Sequence, residues 1–458
     1  MDFTHWGGAN RGAPIFVTLC AEDAMESELG MNSMYEHAPQ FKALIVFIEH
    51  RYYGKSVPFG SMEEGFRNTS TLGYFNSAQA LADYAELILH IKQNLSAESS
   101  PVIVIGGSYG GMLAAWFRLK YPHVALGALA SSAPILDFQD ILPRSGYLTV
   151  VSKDFRDVSE SCHDTIRQSW SLIDELASKP NGLLLLSKKF NACEPLTDTN
   201  SLKSYLEYMY SDVAQYEWLP DPRHSVKGIC DAIDSESTQS TDVLDRVYAG
   251  VVAHMGKKKC YHINPPTDST QSQSQKYDGW GWQCCTELLF PMGPEINATM
   301  FELEPGYTIE DDVENCREQF GVTPRPHWTV TEYGGLNIKL VLEKFASNII
   351  FSNGLRDPFS YGGVLENISD SVVSLTTAKG SHCLDLGHST SKDPSWLTQQ
   401  RKAEFKIIKG WIADYNKRML ELKLTTASSA SAVQISLSSL ARLSVMALIC
   451  FILARLIV

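Results

Sequence analysis

Three residues have the types and the order that acyl-transfer chemistry needs: Ser108, Asp357 and His382. A serine hydroxyl attacks a carbonyl only when an imidazole takes its proton, and a carboxylate must orient that imidazole. Ser108 lies in Gly106-Gly107-Ser108-Tyr109-Gly110, which fits G-x-S-x-G. The three fixed positions would match by chance roughly 0.15 times in a chain this long, so the pattern needs support from its surroundings. Pro101–Ile105 before it is an apolar, β-branched run, and Met112–Lys120 after it is built from strong helix formers. Strand, sharp turn and helix in succession are the context of a nucleophile elbow. The competing reading, a phosphate-binding loop, lacks both the Gly-Lys-Ser/Thr and the G-x-G-x-x-G spacing.

In hydrolases with such an elbow the acid and then the base follow the serine, on loops after later strands. Histidines before Ser108 are out of order, and those from His163 to His327 fall in what reads as an insertion. Asp357 follows the strand-like run Ile349–Ser352 and the turn Asn353-Gly354; His382 follows Val372–Thr377 and the loop Lys379-Gly380-Ser381, with His388 as runner-up. Taken singly, Asp357 would be an ordinary turn aspartate before Pro358. Its position jointly with His382 assigns both to catalysis. The oxyanion hole needs two backbone N–H donors, one from the residue after the nucleophile. Those are Tyr109 and, in the loop Cys20-Ala21-Glu22, Ala21.

The elements that must position these residues alternate. Ala13–Leu19, Ala43–Glu49 and Val124–Ser131 read as buried strands, and Asn76–Asn94 as an amphipathic helix carrying Ala80, Leu81, Tyr84, Leu87, Ile88 and Ile91 on one side. That order predicts a parallel sheet with helices on both faces, an α/β fold. From 140 to 335 the chain becomes cysteine-bearing, aromatic and helical, as in Asp164–Ala177 and Ser201–Tyr210, with an open polar stretch at Thr267–Lys276. The expected organisation is 1–139 and 336–423 as the two parts of one domain, 140–335 as an inserted domain, and 424–458 as a tail. Pro394–Tyr415 reads as a closing helix and Thr425–Ala432 as a small-residue linker. Leu443–Val458, broken by Arg455, is shorter than the roughly 20 residues of a spanning helix. It also resembles a lipid-anchor signal, so a membrane anchor and a frayed end both stay open.

Across 458 residues, 44% are hydrophobic and the net charge is −13. With a pI near 5.4, nucleic acid and anionic membrane surfaces are excluded as partners. Ten cysteines without a C-x-x-C pair fit disulfides in an oxidising compartment and no zinc site. Asn68, Asn94, Asn297 and Asn367 head glycosylation sequons and agree with that compartment. Met1–Trp6 has neither a basic start nor an apolar core, so no signal peptide is read there; the expectation is a cytosolic protein or an incomplete N-terminus.

Several motifs then carry a resemblance. Glu49-His50-Arg51-Tyr52-Tyr53-Gly54-Lys55-Ser56, Gly106–Gly111, Lys120-Tyr121-Pro122-His123, Ser131-Ser132-Ala133-Pro134, Arg325-Pro326-His327-Trp328, Ser352-Asn353-Gly354, Asp357-Pro358 and Gly380-Ser381-His382-Cys383-Leu384-Asp385 resemble the lysosomal Pro-X carboxypeptidase and dipeptidyl peptidase II family, in detail its plant members. The resemblance runs from about Trp6 to Tyr415. It implies an α/β-hydrolase fold with a helical, disulfide-linked cap, the triad Ser108, Asp357 and His382, and disulfides Cys162–Cys230, Cys193–Cys260 and Cys285–Cys316. It implies a serine exopeptidase acting next to proline on a peptide or protein substrate, with no metal or cofactor, in a vacuole, a lysosome or outside the cell. The expected reaction removes the residue after a penultimate proline. The alternatives are a dipeptidyl peptidase, a lipase or esterase, and an inactive hydrolase-fold binding protein; a homodimer is also left open. Cys20 stands where the family usually has glycine. A positive φ there would cost about 1 kcal/mol or more. Cys383 replaces a histidine of the animal enzymes.

Overall fold

A computed structural model describes the chain apart from residues 30–32, 139–140, 218–221, 236–241, 265–276, 291–292, 294–298, 303–307 and 456–458. The polar stretch Thr267–Lys276 and the sequon residue Asn297 lie outside the described residues. The described chain divides into two compact units, Met1–Ile408 and Lys409–Val458.

The first unit is built on a six-stranded sheet in the order β2-β1-β3-β4-β5-β6. The strands are β1 (Ile15–Leu19), β2 (Leu44–Ile48), β3 (Val102–Gly107), β4 (Gly127–Ser131), β5 (Ile349–Gly354) and β6 (Val372–Thr377). All adjacent pairs are parallel. A parallel sheet needs both faces covered, so β1, β2 and β3 read as apolar runs; β6, Val-Val-Ser-Leu-Thr-Thr at the edge, is mostly only partly buried. One face packs Ile15, Val17, Val104 and Phe351 against Leu81, Tyr84 and Ile88 of helix Ser77–Asn94 and Met112 and Trp116 of helix Ser108–Lys120. On the other face Phe16 meets Phe41 and Phe405 with ring centroids 5.2 and 6.3 Å apart. At the β2 edge Asp2 forms an antiparallel bridge to Ile45.

The chain runs from β1 outward to β2, then back across β1 to β3. Open α/β sheets form their sites at such a switch, beyond the carboxyl ends of the strands. Ala21 and Ser108 leave β1 and β3 at that point, and β5 and β6 lead to Asp357 and His382.

The connection between β4 and β5 is helical and has a second core. Val151, Phe155, Cys162, Ile166, Leu206, Tyr210, Ile229, Cys230 and Val247 pack together in it. The structure closes Cys162–Cys230, Cys193–Cys260 and Cys285–Cys316. Leu288, Val330 and Tyr333 pack instead into the sheet core, so part of the stretch read as an inserted domain is woven into the hydrolase core.

The tail differs from expectation. Helix Ser395–Arg455 continues through Thr425–Ala432, which read as a linker. After Pro394 there is no further proline and one glycine, Gly410; serine and alanine alone do not stop a helix. No described helix is long and apolar enough to cross a membrane.

Asp154 gives the helical connection a pH dependence. It is fully buried, and neither carboxylate oxygen has a hydrogen-bond partner among the described residues. Burial pushes its pKa from 3.8 up to about 7. A folded pKa above the unfolded one gives stability that is complete below pH 3.8 and is lost as pH rises to about 7. Asp154→Asn should flatten the fall in Tm across that window and raise Tm at pH 8 by roughly 2–4 °C. Thermal melts of both proteins from pH 4 to 8 check this; parallel curves would refute it.

Candidate active site

The elbow is tighter than the motif alone conveys. Ser108 is the first residue of helix Ser108–Lys120 and lies in the left-handed region at φ 55°. That conformation costs a non-glycine residue about 1–2 kcal/mol and persists only where the surroundings over-determine it. The glycines permit those surroundings. A Cβ on Gly106 would lie 2.1 Å from the Gly110 carbonyl oxygen, and one on Gly110 would lie 2.7 Å from that of Leu19.

Asp357 is fully buried just beyond β5. Its Oδ1 accepts the Phe359 N–H at 2.9 Å, and its Oδ2 lies 2.8 Å from His382 Nδ1. An ionised carboxylate only accepts, so Nδ1 carries the proton. In the neutral ring Nε2 is then the basic nitrogen, and it is buried without a hydrogen-bond partner among the described residues. Burial works to lower the His382 pKa, but the Asp357 charge and hydrogen bond outweigh it and hold the pKa well above 6.5. Ser108 and His382 come from loops in contact, since a Cβ on Gly107 would sit 2.8 Å from Cys383 Sγ.

Other elements hold the His382 loop. The His382 N–H donates to the Gln215 carbonyl at 2.9 Å and the Ser381 hydroxyl to that of Glu217 at 2.6 Å. The Glu217 carboxylate pairs with Arg356 at 2.6 Å. Tyr216 packs edge-on against the imidazole at 5.7 Å, and Phe359 is tilted against it at 5.4 Å. Below the loop, the buried Arg401 guanidinium donates to the carbonyls of Leu384 and Asp385, each at 2.8 Å. Cys383 takes φ 54° and donates its N–H to Ser132 Oγ at 2.9 Å.

The remaining expected residues are placed as follows. Tyr109 is buried, its hydroxyl 2.7 Å from Gln283 Nε2 and 3.1 Å from His50 Nε2. Ala21 N lies 3.6 Å from a Cβ built on Gly110, and its N–H makes a long 3.4 Å contact to Glu28 Oε1. Cys20 is not among the residues with positive φ, and its N–H donates to the Ile48 carbonyl at 3.1 Å. The strain expected there does not arise. His388 is half exposed and lies 3.6 Å from Glu36, apart from the Asp357–His382 pair. Asn68, Asn94 and Asn367 are exposed. Among the described residues, Cys193, Glu194 and His262 have metal-like spacing, but the Cys193 sulfur is bonded to Cys260.

Gln215, Tyr216, Glu217, Gln283 and Glu22 were not singled out in the sequence. Glu22 follows Ala21, and its Oε2 is buried with no partner among the described residues. Burial pushes its pKa up to about 7 against a smaller pull from the His382 charge. The only sequence signal for it was adjacency to the oxyanion loop; contacts from the helical connection left none. NMR titration of His382 should give a pKa above 6.5, falling below that value in Asp357→Asn. An unchanged pKa in the variant would contradict the assigned cause.

Comparison with known proteins gives the family. Residues 5–404 match the family Serine carboxypeptidase S28. The chain is 37% identical over 419 residues to the human lysosomal Pro-X carboxypeptidase, covering 89% of this chain and 82% of that protein. It is 32% identical over 431 residues to the Caenorhabditis elegans prolyl carboxy peptidase like protein 5 (88% and 84%), and 30% identical over 439 residues to the human thymus-specific serine protease (89% and 81%). With the match spanning both sides of the helical connection, the chain belongs to the serine carboxypeptidase S28 family of serine peptidases.

Proposed function

We propose that the protein is an exopeptidase that removes the C-terminal residue following a penultimate proline. Ser108 is the nucleophile, His382 the base and then the acid, and Asp357 the group that orients His382. The observation that carries this reading is the buried 2.8 Å contact from Asp357 to His382 Nδ1, which leaves Nε2 as the basic atom. The names of the Pro-X carboxypeptidase relatives supply the proline preference.

In the first step Nε2 takes the Ser108 proton as Oγ attacks the prolyl carbonyl. The N–H groups of Tyr109 and Ala21 hydrogen-bond the resulting oxyanion, the long Ala21–Glu28 contact being the one exchanged. The His382 imidazolium then protonates the departing amine, leaving a prolyl ester on Ser108. Water, deprotonated by Nε2, attacks that ester and returns the serine. A raised His382 pKa puts more of the ring in its inactive, protonated form at any given pH. The acid limb of kcat/KM therefore lies above pH 6.5.

The lysosomal relatives and the three disulfides support a lysosomal or secretory location. The sequons at Asn68, Asn94, Asn297 and Asn367 are the proposed glycan sites.

A peptide blocked at its N-terminus and ending in Pro-Phe should release phenylalanine. Ser108→Ala should cut kcat about 10⁶-fold and abolish labelling by a fluorophosphonate, and Asp357→Asn should cut kcat about 10⁴-fold. Cleavage confined to free-amine substrates would favour the dipeptidyl peptidase, and turnover of esters alone the lipase or esterase. An unlabelled, folded wild type would end the enzyme reading.

A further inference from the structure

The Tyr109 side chain is held by a buried chain of hydrogen bonds whose directions can all be assigned. His50 Nδ1 lies 2.7 Å from the Arg51 carbonyl, which can only accept, so Nδ1 bears the proton. Burial pulls the His50 pKa down to about 4, and the ring is neutral. Its Nε2 therefore accepts from the Tyr109 hydroxyl at 3.1 Å, and that hydroxyl accepts from Gln283 Nε2 at 2.7 Å. Gln283 is then saturated: Oε1 accepts from Tyr53 at 2.5 Å, and the second Nε2 proton goes to Glu287 Oε1 at 2.8 Å. Glu287 also accepts from Ser77, whose N–H lies 2.8 Å and whose hydroxyl lies 2.5 Å from Oε2; Tyr333 donates to Ser77 Oγ at 2.8 Å. His50, Tyr109 and Gln283 are all at most 1% exposed.

This chain ends on the residue directly after a strained one. The peptide between Ser108 and Tyr109 carries the N–H assigned to the oxyanion, and relaxing Ser108 from φ 55° would rotate that peptide. Fixing the far end of the Tyr109 side chain fixes its Cα–Cβ direction and so resists the rotation. Over-determination of this kind keeps strained catalytic backbone in place.

We propose that Gln283, together with His50, is a positioning residue for the oxyanion hole, acting through Tyr109. The proposal rests on the roles given to Ser108 and Tyr109 under Proposed function. Gln283 sits in helix Gly279–Thr286, tied by Cys285–Cys316 to helix Ile309–Phe320. The helical connection thus contacts the residue directly after Ser108 through a buried side chain.

The test compares Tyr109→Phe, which removes one hydroxyl and keeps the ring, with Gln283→Met and the double variant. Rates on the N-blocked prolyl peptide are normalised to active sites counted with fluorophosphonate. Direct oxyanion donors are worth about 10²–10³ in kcat; an indirect clamp should cost about 10-fold. We expect kcat to fall by that factor in both single variants with KM within about two-fold. The Ki of a peptidyl-proline aldehyde, whose adduct places an oxyanion in the hole, should rise in parallel. The double variant should be no worse than the more impaired single, because both remove the shared Gln283–Tyr109 contact. Wild-type kcat and Ki per active site in Tyr109→Phe, even with a lowered Tm, would overturn the proposal while leaving the triad intact. Full activity in Ser108→Ala would overturn the triad itself, so the two failures are told apart. If Gln283→Met fails to fold, Tyr109→Phe alone decides.

Discussion

The left-handed serine at the end of β3 is the constraint on which the rest depends. At φ 55°, Ser108 costs about 1–2 kcal/mol at the start of the helix that follows β3. Every neighbour reflects that choice. Gly106 and Gly110 let the strand and helix backbones approach to distances that a side chain would forbid. The loops after β1, β5 and β6 converge on the same end because a parallel sheet delivers all its carboxyl ends to one side. A site assembled from several strand ends is rigid only if each loop is separately held. Here Gln215 and Glu217 hold the His382 loop from above, Arg401 holds it from below, and Gln283 holds Tyr109.

The buried carboxyls give the fold a common electrostatic character. Glu22, Asp137, Asp154 and Glu287 are all pushed up to about 7 by burial. Glu404 is raised well above its ordinary value, by burial and by the neighbouring Asp385 charge. Groups shifted in this direction penalise the folded state as they ionise. A chain carrying several of them is best held together at acidic pH. On the proposed mechanism turnover runs the other way, because His382 serves as base only when neutral and its pKa is held well above 6.5. Stability and the proposed turnover thus depend on different buried groups.

Much of the candidate site was legible because its logic is local. Ser108 was marked by five residues of motif and the runs on either side; Asp357 and His382 were marked by following successive β-strands in the right order. Strands β1, β2 and β3 were visible as apolar runs, because two-sided burial removes the alternation that would have made them ambiguous; β6, at the sheet edge, mixes serine and threonine with its apolar residues. What stayed hidden joins residues distant in sequence. Gln283 reaches Tyr109 across 174 positions, and no periodicity announces a glutamine that satisfies a tyrosine. Whether Cys20 takes a positive φ could not be read from its residue type for a related reason; it does not, and its N–H pairs with the Ile48 carbonyl. The tail was misread because small residues were taken as flexible, whereas with few breakers they remain helical.

The position of the helical connection also orders events during synthesis. β4 and β5 are neighbours in the sheet, pairing Ser131 with Ser352, yet the whole disulfide-bearing connection lies between them in the chain. Ser108 precedes it, and Asp357 and His382 follow it. A nascent chain therefore carries the proposed nucleophile long before it carries either partner. The connection, with its own core, can collapse first and bring the flanking strands within reach, reducing the loop that β5 must close. A hydrolytic centre divided this way cannot act on other newly made proteins until its own folding is complete.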